Sequence, residues 1–417
     1  MKHFLAYGNS DQAGFRDARV RDSFDYLTVP GTIAAYYPDA TAAFVLSSRL
    51  KYMIDPRTPL FQGAIGQPKA SHYSLAQALG SAVVKRMGDP TTARAVEFDA
   101  GLFTHQVIDE MVGSVVTFQR TYGQRAADVR GRLDRYRGLL ALATGKVTDV
   151  PNDGPAPTFV LAPYFAARSM SDDWWHVNQK IWAACLKLPN PEAISPVIAI
   201  EMEGLDALEE AFKRIPRGLG QTCFYWIAGF GERRASPSEL RLVWDVVRQT
   251  DARIHLVSLY GGFFSVCMSY AGLWGFNNGL GYSESRSWPD LPTTGAAPPR
   301  YYVPALHLFQ PQGVAQLLIE TEPAFACTCQ VCAKGRAIVS LTNMQLKAHF
   351  ALTRNAEIRQ VESQPKETVA SSLEESSKLL EAVKLKIPSV EINGSYLNRW
   401  ATVLREATER PQLQVSP

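Results

Sequence analysis

Between residues 157 and 320 the chain alternates short apolar runs with amphipathic stretches, and this rhythm restricts the fold more than any other feature. "PTFVLAPYF" (157–165) leads into "SDDWWHVNQKIWAACLKL", where Ser171 is the expected N-cap and apolar residues recur on one helical face. "SPVIAIEMEG" (195–204) leads into "LDALEEAFKRI", "QTCFYWIAGFGE" (221–232) into "SPSELRLVWDVVRQT", "RIHLVSLYGG" (253–262) into "FFSVCMSYAGLWGF", and "RYYVPALHLF" (300–309) into "GVAQLLIETE". Strand followed by helix, repeated, predicts a parallel β/α protein. The number of units predicts a TIM-type (β/α)8 barrel in preference to an open doubly wound sheet.

The earlier half is less regular. "AAFVLSSR" and "ARAVEFDAGLF" (93–103) read as strands, with a long helical stretch from about 104 to 144. Segments 150–157 and 289–299 read as loops, and 360–417 as a polar helical extension that packs outside the core or frays. The expected organisation is a barrel with N-terminal elaborations over 1–320, a zinc-binding module over 321–359 and the extension.

A chain of 417 residues with 46% hydrophobic content has ample material for a core. The longest apolar run, "HLVSLYGGFFSVCMSYAGLWGF", is broken by Gly and Ser and does not read as a membrane span, and "MKHFLAYGNSDQAG" has too short an apolar core for a signal peptide. A cytoplasmic protein is the expectation. A net charge of +3 is too small to imply nucleic-acid binding by itself, so a polyanion would have to meet a local patch. Residues 120–137 carry six arginines against two aspartates, which also fits a solvated helix face. Residues 323–356 offer Lys334, Arg336, Lys347 and Arg354 with no acid among them.

Three of the six cysteines, Cys327, Cys329 and Cys332, form C-x-C-x-x-C, and His349 follows within "TNMQLKAHFALTRNAEIRQV", a helical pattern. Three thiolates and an imidazole suit a closed tetrahedral zinc site, with ligands on a tight turn completed by one from a helix. Cys-x-Cys positions bridge poorly as disulfides. All four ligands come from protein, so the zinc is expected to hold structure and do no chemistry. Cys185, Cys223 and Cys267 lie in apolar segments and read as ordinary buried thiols.

These residues resemble the tRNA-guanine transglycosylase superfamily, including its relatives that insert 7-deazaguanine derivatives into DNA. "LKAHFALTRNAEIR" is similar to that family's "LHNLxxYLxLMxxIR" helix. "VEFDAGLFT" resembles its strand ending "DSGGFQ", making Asp99 the counterpart of an active-site aspartate. "VIAIEMEG" resembles "GIVQGG", which puts Glu201 or Glu203 where the base is read. "WIAGFGER" resembles "IGGLAVGE", with Gly229 and Gly231 admitting a purine to the backbone and Glu232 adding a carboxylate. The resemblance implies a barrel with a structural zinc. It further implies exchange of guanine for a 7-deazaguanine derivative in DNA or tRNA, with a protein partner or a second copy as a further expectation. Such a base must leave its stack and be met by fixed donors and acceptors. Without the resemblance, an aspartate after a strand is as readily a cap, and Gly-x-Gly is weak evidence.

The pattern also departs from the family. The strand expected to carry the nucleophilic aspartate, roughly "GVDMFDCVLPTR", is best matched by "GLWGFNNGLGYSESR", which places Asn277 there, and an amide is a poor nucleophile. The motif "AFDEC" is met by "VLAPYFAAR", with Pro163 and Tyr164 in place of its acid. Three readings stay open. The alignment is shifted and Glu284, Asp290 or Glu203 takes the role; or the protein is a non-catalytic subunit that binds nucleic acid or a deazapurine; or Asp99 acts with water on a glycosidic bond. His307 is a candidate for phosphate, substrate or core, and Tyr260, Phe263, Trp274 and Trp288 for base stacking or core.

Overall fold

In chain order the strands are β1 (Lys2–Ala6), β2 (Tyr26–Pro30), β3 (Tyr52–Asp55), β4 (Gly63–Ile65), β5 (Val96–Phe98), β6 (Phe159–Leu161), β7 (Ala166–Ala167), β8 (Ile194–Ser195), β9 (Val197–Glu201), β10 (Thr222–Ala228), β11 (His255–Ser258), β12 (Gly275–Gly279), β13 (Arg300–Val303) and β14 (Leu308–Pro311). This computed structural model describes residues 1–8, 11–48, 50–92, 94–124, 156–280, 284, 299–333, 335–389 and 391–410. Ten strands form one large curled parallel sheet in the order β7-β9-β10-β11-β12-β1-β2-β3-β6-β8. β2, β9 and β10 are buried at every position, as strands of a parallel sheet covered by helices must be. The two ends of that order belong together. β6 and β7 are parts of one run interrupted at 162–165, and β8 and β9 parts of one run interrupted at Pro196. β6 pairs with β8 and β7 with β9, both in parallel.

Aromatic rings define the inside of the curl. Phe4 stacks on Tyr26 with centroids 4.6 Å apart and meets Phe159, Phe224 and Trp274 within 6.2 Å. Rings from strands far apart in the order meet only in the interior. Side chains alternate along a strand, so register carries this inward direction to other positions. Phe4 lies opposite Asn277, Pro30 opposite Asp55, and Ala228 opposite Glu201. Asn277, Asp55 and Glu201 therefore face inward, the last two at the carboxyl ends of their strands.

Several expectations are corrected. "AAFVLSSR" lies in a helix, Pro38–Ser48, because a proline that opens a helix and a run of good helix formers outweigh its strand-like apolarity. The strands which that half gives to the large sheet are β1, β2 and β3. Of 93–103 only β5 is strand, and it pairs antiparallel with β4, outside the large sheet. "RYYVPALHLF" is an antiparallel pair, β13 with β14, and the final strand of the sheet is β12, within a stretch expected to be helical. The helix after β7 is capped by Asp172, whose side chain accepts from Trp174 N, and not by Ser171. The helix starting at His105 runs to Arg120, and residues 125–144, with most of 150–157 and 289–299, lie outside the described residues.

The helix Asn343–Ser363 packs beside the helices Gln12–Arg16, Ala18–Arg21 and Phe263–Cys267, which flank β1 and β12. The C-terminal helices Lys366–Lys386 and Ser395–Glu406 do not fray. Leu380, Val383, Leu397, Trp400 and Leu404 are buried in the same core, and Trp400 donates its indole N–H to the Glu232 carbonyl at 3.0 Å. Among the described residues no helix is long and apolar enough to cross a membrane.

Candidate metal centre and strand-end carboxylates

The cysteine turn is closed by its own backbone. Cys332 N and Ala333 N donate to the Cys329 carbonyl at 2.9 and 2.8 Å, and Cys329 N donates to the Cys327 sulfur at 3.3 Å. His349 comes from the helix Asn343–Ser363, which begins with a capping box at Thr342 and Gln345. One ligand atom from each of Cys327, Cys329, Cys332 and His349 lies within 4.8 Å of all the others, and the four could hold a metal ion. His349 Nδ1 is 3.4 Å from both the Cys329 and the Cys332 sulfurs. Tetrahedral zinc bonds imply a nitrogen–sulfur separation of about 3.6 Å, so the cage is of the right size.

The tautomer also suits a metal. His349 Nε2 lies 2.7 Å from the Tyr302 carbonyl, which can only accept, so the proton sits there and Nδ1 keeps its lone pair for the ion. The Tyr301 ring stacks on the imidazole at 4.2 Å, and its hydroxyl is 3.3 Å from the Cys332 sulfur. Without a cation the sulfurs and imidazole share protons. Hydrogen bonds from Cys327 and Cys332 hold Cys329 far below the ordinary thiol range, while Cys332 is pushed up. Burial opposes a charge on His349, but its bonds to Cys327 and Cys329 outweigh that and raise it to about 9.

The same helix sends a buried charge chain toward the sheet. Arg354 is fully buried and its guanidinium reaches Glu284 Oε1 at 2.7 Å and Glu357 Oε2 at 3.1 Å. It lies over the Tyr302 and Phe350 rings at 5.2 and 5.4 Å. Glu357 Oε1 accepts from Tyr302 Oη at 2.9 Å and meets His307 Nδ1 at 2.7 Å. Burial works against the Glu357 carboxylate, yet Arg354 and His307 hold it below the ordinary range. Glu232 accepts from Gly262 N, Phe264 N, Ser265 N and Ser265 Oγ at 2.6–3.0 Å, satisfying the orphan amides of the short helix Phe263–Cys267. Burial pushes Glu232 up, opposed by its bonds from Ser265 and Gly262. A Cβ at residue 262 would lie 2.7 Å from Glu232 Oε2 and 3.3 Å from Glu284 Oε2, so a glycine there lets both carboxylates close over the backbone.

Asp55 was missed from the sequence. It ends β3, is 2% exposed, and its Oδ1 accepts from Tyr164 Oη at 2.7 Å and Arg57 N at 3.0 Å. Arg57 Nε approaches Oδ2 at 3.5 Å. Arg57 has φ +49°, a left-handed conformation unfavourable for a side chain with a Cβ, and such strain gathers at functional positions. The interruption between β6 and β7 is held by side chains that replace the missing ladder. Gln119 bonds both N–H and C=O of Leu161, Thr58 both of Tyr164, Asn178 both of Phe165, and Gln62 both of Ala166.

The sequence candidates fall in different places. Asp99 is exposed, follows the antiparallel β5 and caps a short turn by accepting from Leu102 N at 3.1 Å, so it does not share the sheet of the other carboxylates. Glu201 faces inward and meets Arg168 Nε at 3.2 Å, whereas Glu203 is exposed on the following turn. Gly229 has φ +85°, which requires glycine, and Gly231 sits under the Arg234 guanidinium. Asn277 is inward and buried, and its Oδ1 has no hydrogen-bond partner among the described residues.

Glu284 and Glu232 are drawn together, but into the Arg354 chain and a helix cap. His307 belongs to that chain too, its ring 3.4 Å from that of Phe263. Trp274 is core, and Tyr260 packs on Trp226 at 5.4 Å. The expected phosphate-contacting face at 323–356 is corrected: Arg354 is buried and Lys347 is paired with Asp11, which leaves Arg336 exposed and Lys334 outside the described residues. Arg120 donates to the Pro189 and Asn190 carbonyls, and the other arginines of 120–137, with Trp288 and Asp290, lie outside the described residues.

Models of known protein families find no match in this chain, and no curated protein matches it.

Proposed function

We propose that the chain is a divergent relative of the tRNA-guanine transglycosylases, that its curled sheet is a (β/α)8 barrel, and that it exchanges guanine for a 7-deazaguanine derivative in DNA or tRNA. Asp55 replaces Asp99 as the counterpart of that active-site aspartate, and it also takes the nucleophile's part, for which the resemblance offered only Asn277. The observation that carries this reading is an inward carboxylate at the end of β3, tethered through one oxygen by Tyr164 and the Arg57 amide, in the same mouth as inward Glu201. Functional loops of barrels converge at the carboxyl ends of the strands. "MIDPRTPLFQ" also fits the family's strand ending in "DSGGFQ" at a parallel strand, which "VEFDAGLFT" does not occupy. The side-by-side pairing of the runs 159–167 and 194–201 supports the barrel.

In this reaction Asp55 Oδ2 attacks C1′ of the target nucleotide while the C1′–N9 bond breaks, and its electron pair leaves with the base, which takes up a proton. The incoming base then attacks C1′ through N9, loses its N9 proton and displaces Asp55. Glu201 is placed to exchange that proton. Asn277 attacks nothing, and its Oδ1, which has no partner among the described residues, is an acceptor for an N–H of the bound base. The four-ligand centre holds zinc as structure, and its helix anchors Glu284 through Arg354.

The test is incorporation of a labelled 7-deazaguanine base into duplex DNA and into tRNA, with trapping of a covalent adduct. An adduct at Asp55 supports the reading. Binding of nucleic acid without exchange or adduct overturns it in favour of a silent subunit, and an adduct at Glu284 or Glu203 relocates the nucleophile.

A further inference from the structure

Resting on that reading of Asp55, we infer that Tyr164 is the residue that positions the reactive carboxylate, a phenol standing where the family's second strand motif carries an acid. Its hydroxyl donates to Asp55 Oδ1 at 2.7 Å, and with the Arg57 amide at 3.0 Å it gives that oxygen two donors. Oδ2 meets Arg57 Nε at the longer distance of 3.5 Å and is the oxygen placed to meet C1′. Two donors on one oxygen fix both side-chain torsions of an aspartate that the strand end by itself would leave free.

The phenol is in turn held from behind. Tyr164 is fully buried, its backbone N–H and C=O are both taken by Thr58 Oγ1, and its neighbours are clamped by Gln119, Asn178 and Gln62. Thr58 and Gln62 lie in the segment that leaves β3 just after Asp55. The clamp therefore ties the carboxylate's own segment to the segment that carries the phenol, and the hydroxyl closes this loop. Burial, and then the nearby Asp55 charge, push the Tyr164 pKa well above its ordinary value, so it remains a donor at every working pH. A second acid at 164 would face Asp55 at this distance with like charge, whereas a phenol meets it with a hydrogen-bond donor.

The test is Tyr164→Phe, which removes one oxygen and leaves the ring and every backbone clamp. The expected result is a fall in kcat for base exchange of about 10- to 100-fold, the loss that a hydrogen bond to a charged group represents. KM for the base should change less than about threefold, and the acid limb of the pH–rate profile should move to higher pH. 3-Fluorotyrosine incorporated at position 164 keeps the donor and should restore kcat, which separates positioning from packing. Wild-type kcat and pH profile in Tyr164→Phe, beside an inactive Asp55→Asn, overturn the inference. Crystal structures of the wild type and Tyr164→Phe give a readout that needs no turnover. If no exchange is detected with either nucleic acid, the proposed function fails, and the Asp55 rotamer still decides: a rotamer shifted in the variant supports positioning, an unchanged one overturns it.

Discussion

Cys327, Cys329 and Cys332 approach their common point from one turn of six residues, with only His349 arriving from elsewhere, whereas Asp55 at the end of β3 meets Tyr164 from the break between β6 and β7, and Glu201 faces inward from the end of β9. The two regions are built on different physics. In the first, the donor set is nearly complete in local sequence, and a metal ion, held as proposed, would supply the energy that closes it. In the second, no ion is called for. Position comes from parallel register and from side chains that stand in for a broken ladder, each bond contributing about 1 kcal/mol. A local cage tolerates little loss, because every ligand is needed. In the proposed reaction, a distributed mouth separates into groups that hold shape and groups that react.

Cys329→Ser tests that contrast most severely. It removes a sulfur that faces His349 Nδ1 at 3.4 Å, and should cost nearly all bound metal together with the ordering of 323–356; in small zinc modules the coupled energy is on the order of 10 kcal/mol. Because Arg354 shares the helix with His349, the loss should spread to Glu284. Metal content by mass spectrometry and amide exchange over the helix read both effects. A metal-replete, fully protected variant would place the cage elsewhere.

Asp55→Asn should be next, with exchange reduced about 1,000-fold or more, since an amide neither attacks C1′ nor carries a charge. The fold should survive because Oδ1 still accepts from Tyr164 and the Arg57 amide. Equal exchange by the variant would move the reaction out of the mouth and dissolve the comparison.

Why Asp55 was not legible beforehand follows from the lengths involved. β1, β2 and β3 are four or five residues each, the segments between them break into helices of four to eleven residues, and the eleven-residue one (38–48) carries the apolar run "AAFVL" that imitates a strand. The second half could be read because β9 and β10 are unbroken apolar runs flanked by helices with clear caps, such as Ser236 with Glu239. Asp99 attracted notice because "VEFD" looks like a strand end, and three residues cannot tell an antiparallel edge from a parallel stave. A signal did exist in "YMIDPR", an apolar run stopped by Asp-Pro. The Arg354–Glu284 contact spans 70 positions and has no local signature, whereas the metal ligands were legible because spacing is itself their geometry.

Glu232→Ala probes a group that holds the mouth without reacting. It strips the acceptor from the Gly262, Phe264 and Ser265 amides, and should destabilise the protein by about 3 kcal/mol in denaturant unfolding while leaving metal content intact. A loss of metal equal to that of Cys329→Ser would mean that the two regions are one unit.

Acidification should act on the cage in a graded way. In the empty site His349 is raised to about 9, so binding at lower pH must expel that proton, and affinity should rise about tenfold per pH unit below 9, more if a thiol proton leaves too. The sign is fixed: protonation favours the empty cage, so metal is lost as pH falls. Competition with a chelator between about pH 6 and pH 8 measures the slope, and a flat line would mean that imidazole is not a ligand.

Asp99→Ala should do least. Its carboxylate is exposed and its one structural bond caps a three-residue turn, so the cost is about 0.5–1 kcal/mol, with exchange and metal content unchanged. The variant is nonetheless the sharpest check on the assignment of the mouth, because Asp99 and Asp55 each end a strand with similar local sequence and differ in sheet, direction and burial. If sheet context decides function, exchange assays on the two variants should differ by about three orders of magnitude, the loss expected when a nucleophile is removed. If Asp99→Ala is the inactive one, local resemblance outranks parallel register as a guide to the active-site aspartate, and that part returns to the β4–β5 edge.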